Sequence, residues 1–106
     1  MADAAKRLYG PARPTNVAAD AYTAPAATTA IVKQLIVHNP TASIVDYTLS
    51  VGVDAAGTRV VDALPVPADS TVVLDIWLVL AATEKIQHFA TTTTVLNVTI
   101  NGVEMT

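Results

Sequence analysis

The side chains able to do chemistry are few in this chain, and their spacing does not gather them. His38 and His88 fall in separate apolar stretches, and neither lies in an HxH, HxxxH or HExxH context that would aim two imidazoles at one ion. Asp46, Asp54 and Asp62 recur at a spacing of eight residues, which could suggest calcium. No DxDxDG loop accompanies them, and aspartates on strand faces and in turns are accounted for by those places. Ser43, Ser50 and Ser70 are outside any GxSxG elbow. The four glycines, Gly10, Gly52, Gly57 and Gly102, are too scattered to build a phosphate-cradling loop. Asn97–Thr99 matches the N-glycosylation triplet, a chance match without a secretory leader. With no cysteine, disulfides and thiolate metal sites are excluded. The expectation is a protein that is not an enzyme, with no catalytic, cofactor-binding or metal-ligating residues.

The elements that would position any site read as β from Thr28 onward, where Val, Thr and Ile abound. "VDYTLSVGV" alternates most cleanly. Val45, Tyr47, Leu49, Val51 and Val53 form a dry face, and Asp46, Thr48, Ser50 and Gly52 a wet one. "TVLNVTINGV" repeats this with Leu96, Val98 and Ile100 against Asn97, Thr99 and Asn101. Breaks at "HNPTAS", "DAAG", "PVPADS" and "AATE" separate strands about every 12 residues, with no helical period between them. This predicts an all-β fold: an antiparallel β-sandwich, jelly-roll or Ig-like, or a small barrel.

Two strands depart from the pattern of a sheet with one solvated face. "AIVKQLIVH" has Ile31, Leu35 and Val37 on one side and Val32 and Ile36 on the other. "TVVLDIWLVL" has Val72, Leu74, Ile76, Leu78 and Leu80 on one side and Val73, Trp77 and Val79 around Asp75 on the other. Either a bulge shifts the register partway, or the second face meets a subunit or the N-terminal arm. The composition favours contact: 52% of residues are hydrophobic and only 14% charged, sparse for the surface of a lone monomer. Val73, Trp77 and Val79 are therefore candidate interface residues.

Length allows one domain, with residues 28–106 as its β-sandwich. Residues 1–27, rich in Ala and interrupted by Pro11, Pro14 and Pro25, read as an extended N-terminal arm with short β segments near Arg7–Tyr9 and Ala21–Ala24. An arm cannot bury much on itself, so Lys6, Arg7, Leu8, Tyr9 and Arg13 are expected to contact a neighbour. Net charge is −3, and no basic stripe suits nucleic acid. "MADAAKRLYGPARP" lacks the apolar core of a signal peptide, and no segment reaches the roughly 20 apolar residues of a membrane span.

"YTAPAATTAIVKQLIVHNPTASIVDYTLSVG", followed by "ALPVPADSTVVLD" and "LNVTINGVE", resembles a pattern of structural proteins of tailed bacteriophages over Tyr22–Glu104. Ala82–Thr83 departs from the Gly-Asp turn usual there. The resemblance implies a small virion β-domain of head, neck or tail. Within that class the arm and compact size suit a capsid decoration (cement) protein, a homo-oligomer, most simply a trimer, clamping the major capsid protein on the outer capsid surface. A tail or neck accessory protein and a carbohydrate-binding adhesion module are the alternatives.

Overall fold

The computed structural model describes residues 3–106. Eight strands follow one another: β1 (Asp3–Ala12), β2 (Ala19–Thr23), β3 (Thr29–Asn39), β4 (Val45–Val51), β5 (Arg59–Val66), β6 (Ser70–Leu80), β7 (Lys85–Ala90) and β8 (Asn97–Met105). They form two antiparallel four-stranded sheets, β1-β8-β3-β6 and β2-β7-β4-β5. The pairings nest: first strand with last, second with seventh, third with sixth, fourth with fifth. Two further ladders, β3 with β8 and β4 with β7, complete the sheets. The all-β, antiparallel expectation holds.

Alternation fills one core between the sheets. Val32, Leu35, Val37, Val98 and Ile100 enter it from one side, and Val45, Tyr47, Leu49 and Ile86 from the other. Each such side chain removed from water contributes about 1.5–3 kcal/mol before entropy is counted. The wet face expected on β4 is a correction, because Thr48 and Ser50 are buried. Thr48 Oγ1 accepts the Ala63 N–H at 3.1 Å, and Ser50 donates to Asp54. Nearby, the Arg59 guanidinium lies 5.5 Å from the Phe89 ring centre.

The stretch expected to be an arm is a correction too. Over Asp3–Ala12 and Ala19–Thr23 the chain is paired into its own sheets, as β1 on β8 and β2 on β7. Met1 and Ala2 lie outside the described residues. The prolines that suggested a free arm are compatible with an edge strand, where a missing N–H leaves no ladder bond unmade. Apolar content decides the matter: Leu8 and Ala24 both have core to enter.

A band of irregularity crosses the first sheet at one level. Leu8 is an extra residue of β1 against β8, and Lys33 an extra residue of β3 against β8. Opposite Lys33, β6 carries two residues, Ile76 and Trp77. Bulges of this kind re-aim side chains. In β3 the buried positions pass from Ala30 and Val32 to Leu35, Val37 and Asn39, so the bulge reading of this strand is correct. Gly102 lies in the same band. A Cβ there would stand 2.1 Å from the Ile31 carbonyl oxygen and 2.8 Å from Leu8 Cδ1.

Asn39 ties the end of β3 to the next turn and to β5. Its side-chain amide donates to the Ser43 carbonyl at 2.7 Å and the Val66 carbonyl at 2.9 Å. Its oxygen accepts from the Thr41 N–H at 2.9 Å and hydroxyl at 2.7 Å. A fully buried amide with all of these bonds made stabilises the turn; an apolar replacement would strand the groups it serves.

Two outcomes follow for stability. Gly102→Ala should lower stability by about 1–3 kcal/mol or more, because backbone rather than a flexible side chain must yield. Removing residues 1–12 should abolish the sharp thermal transition, since it strips β1 from β8 and Leu8 from the core. Retention of that transition in the truncated chain, followed by circular dichroism, would show that β1 is dispensable.

Candidate interface

β6 is an edge strand of the first sheet, and its burial alternates without a break from Ser70 to Leu80. The inward set, Val72, Leu74, Ile76 and Leu78, packs against the core. The outward set is Val73, Asp75, Trp77 and Val79, in which Trp77 is 63% exposed, Val79 56% and Val73 53%. Across the strand pair, half-buried Ile36 of β3 faces Val73, and Ile31, itself buried, faces Val79. Lys33 Nζ lies 5.0 Å from the centre of the Trp77 ring. So the two irregular strands differ: β3 changes parity at its bulge, whereas β6 keeps its alternation through the shift and has a second apolar face.

The contrast with the other sheet is informative. Its outer side is covered by polar side chains that bond one another. Arg59 bridges Asp54 at 3.1 Å, Gln87 donates to Asp20 at 2.8 Å, and Lys85 pairs with Asp20 at 3.3 Å. The other large exposed apolar side chains are dispersed, with Val17, Ile44 and Val53 in loops and Val60 on β5. Three on one face of one strand form a patch of the sort that marks contact surfaces.

Between the patch and β1 lies an open trough of about 560 Å³, whose lining includes Ala5, Lys33, Gln34, Asp75, Asn101 and Gly102. It sits where the bulges spread the strands. Asn101 donates to Gln34 at 3.2 Å across it.

The interface residues expected on the arm divide. Lys6 is exposed and pairs with Glu104 at 3.1 Å; Glu104 also accepts from the Tyr22 hydroxyl, joining β8 to β2 of the opposite sheet. These two donors, Tyr22 first, hold the Glu104 carboxyl below its ordinary value. Arg7 is exposed, and Arg13 is exposed with its Nε donating to Asn97 at 2.9 Å. Leu8 is a correction, because the extra residue in β1 turns it into the core; Tyr9 is half-buried and packs against that core.

The histidines also separate. His38 Nδ1 is 2.9 Å from Thr71 Oγ1 on the outer face. His88 is buried, with Nδ1 2.7 Å from the Tyr47 hydroxyl and the Tyr9 ring edge-on at 4.6 Å. Burial lowers its pKa to about 4, so the imidazole is neutral near pH 7. A sealed Tyr47–His88 pair packs and bonds the core; no solvent-facing proton acceptor results. Among the described residues, no three His, Cys, Asp or Glu side chains converge to hold a metal ion. The sequence signal for this pair was slight: His88 falls at a core position of the β7 alternation.

Two measurements check this account. Trp77→Thr should change the stability of the isolated chain by less than about 1 kcal/mol, whereas truncating a buried tryptophan costs about 3–5. A large loss in thermal unfolding would place the ring inside. For His88, the folded-state pKa of about 4 lies below the unfolded value near 6.5, so the unfolded chain binds more protons between them. Stability should therefore fall as pH drops from about 6.5 towards 4, by up to roughly 3 kcal/mol, and His88→Gln should flatten that slope. An identical slope in both proteins would contradict it.

Compared with family models, curated proteins and solved structures, the chain has no match among them.

Proposed function

We propose that this chain is a non-enzymatic structural protein of a tailed-bacteriophage virion, a decoration protein that binds the outer capsid surface and stabilises it. The observation that carries the reading is the outward face of β6, where Val73, Trp77 and Val79 stand in water on a sheet whose counterpart is sealed by its own ion pairs. Such a face gains by meeting protein. Burying it removes apolar area from water at roughly 25 cal/mol per Å².

The nested strand order supports the finer fold assignment, a jelly roll: a long antiparallel ribbon, β1–β4 against β8–β5, wrapped into two sheets. It also gives the chain a body suited to repetitive assembly. Loops at the ends leave the outer face of the first sheet free to lie flat on a partner. The partners on this reading are further copies of the chain and the major capsid protein, and the place of action is the virion, at the capsid surface or at the neck or tail.

One observation favours a second reading, a carbohydrate-binding adhesion module. The trough sets Gln34, Asp75 and Asn101, groups that bond sugar hydroxyls, beside an exposed tryptophan. Against it, Lys33 stands over the Trp77 ring, and the exposed Val73 and Val79 make the rest of the face apolar.

Purified protein added to capsid shells lacking it should form a regular outer layer and raise their melting temperature, and Trp77→Thr should lose both effects. Absence of binding to heads, tails and necks alike, with retention on a glycan array, would replace this function with sugar recognition.

A further inference from the structure

The two sheets have four edges, and three are blunted. β1 carries two register shifts and Pro11; β2 is five residues long with a shift; β5 carries two shifts and Pro65. These are the devices by which sheet proteins avoid edge-to-edge pairing. β6 has the mildest of them, a single register shift where Ile76 and Trp77 stand opposite Lys33, and its alternation runs through that shift unbroken. It runs eleven residues, regularly alternating, without proline and with Asp75 as its one charge. It is hydrogen-bonded to β3 on one side, and the bonds of the described residues leave the other edge of Val72–Leu80 open.

We propose that this open edge pairs with β6 of a second copy of the chain, antiparallel about a two-fold axis, joining two first sheets into one eight-stranded sheet. Opposed residues in such a pair lie on the same face, so outward positions must meet outward positions, and the axis must pass beside a single residue. An axis at Asp75 would oppose two carboxylates. An axis at Trp77 would shorten the ladder to Leu74–Leu80 within the observed strand.

An axis at Ile76 pairs all of Val72–Leu80 and sets Val73 opposite Val79 of the second copy and Trp77 opposite its Asp75. Lys33, held over Trp77, then stands beside that carboxylate, so the one charge on the strand finds an opposite one twice across the axis. On the inner face, Leu74 meets Leu78 and Ile76 meets itself, extending the core across the junction. The pairing is self-complementary in shape, polarity and charge. It does not need the virion reading, and it differs from the trimer that a clamp role implies.

Because the chain contains no cysteine, single thiols report the register cleanly. In multi-angle light scattering the protein should weigh twice its 11.0 kDa. Val73→Cys mixed with Val79→Cys should give a disulfide-linked dimer under a mild oxidant, while either variant alone should not. Val73→Lys/Val79→Lys should shift the mass to that of the monomer, and Val73→Glu/Val79→Lys should restore the dimer. A monomeric or trimeric wild-type protein, or a dimer whose mixed thiols stay unlinked, overturns the pairing. Capsid binding, measured separately, decides the function above and is independent of this result.

Discussion

β8, the eighth strand in chain order, lies inside the first sheet, between the first and third. β8 is hydrogen-bonded to β1 on one side and β3 on the other, so nothing in that sheet is complete until the chain has closed on itself. This closure is the constraint on which the rest depends. It makes contacts long-range, and it places β1 and β8 in one cooperative unit. It also leaves β6 at an edge, because β3 has spent both its sides on β8 and β6. The exposed face and open edge of β6 are therefore consequences of topology combined with an apolar sequence.

Bulges reconcile this closure with packing. Strict alternation along β3 would send either Val32 or Leu35 and Val37 away from the core. One extra residue at Lys33 lets all three enter, and the adjoining strands adjust at the same level. Gly102 accommodates the crowded backbone that results, and Leu8 fills the space beside it. The trough on the outer side is the reverse of the same accommodation.

Much of this fold was legible from period-two alternation and from turns. "AIVKQLIVH" covers β3 but for its two end residues, the breaks before Arg59 and Lys85 fall between strands, and the outward triad of β6 was correctly grouped. What escaped was decided across strands. Leu8 and Tyr9 looked like arm residues because local sequence carries proline and alanine, and nothing local says that β8 will supply a partner. Thr48 and Ser50 looked wet because their type is polar; Asp54, Arg59 and Ala63 seal them, and those come from neighbouring segments. Asn39 and His88 gave little warning, since a buried amide or imidazole is identified by its partners. The bulge did leave a trace: in "IVKQLIV" apolar parity changes across the polar pair Lys33–Gln34.

Trp77 is the chain's one tryptophan, so its fluorescence reports the face directly. The central claim is that this ring stands in water on the separate molecule and is covered in the working assembly. Emission spectra and acrylamide quenching, recorded for dilute protein and for protein bound to capsids, test it. A red emission, readily quenched when free, that moves to the blue and resists quenching when bound is the expected result. A ring already shielded in the dilute chain, or still open to quencher in the bound form, would contradict it.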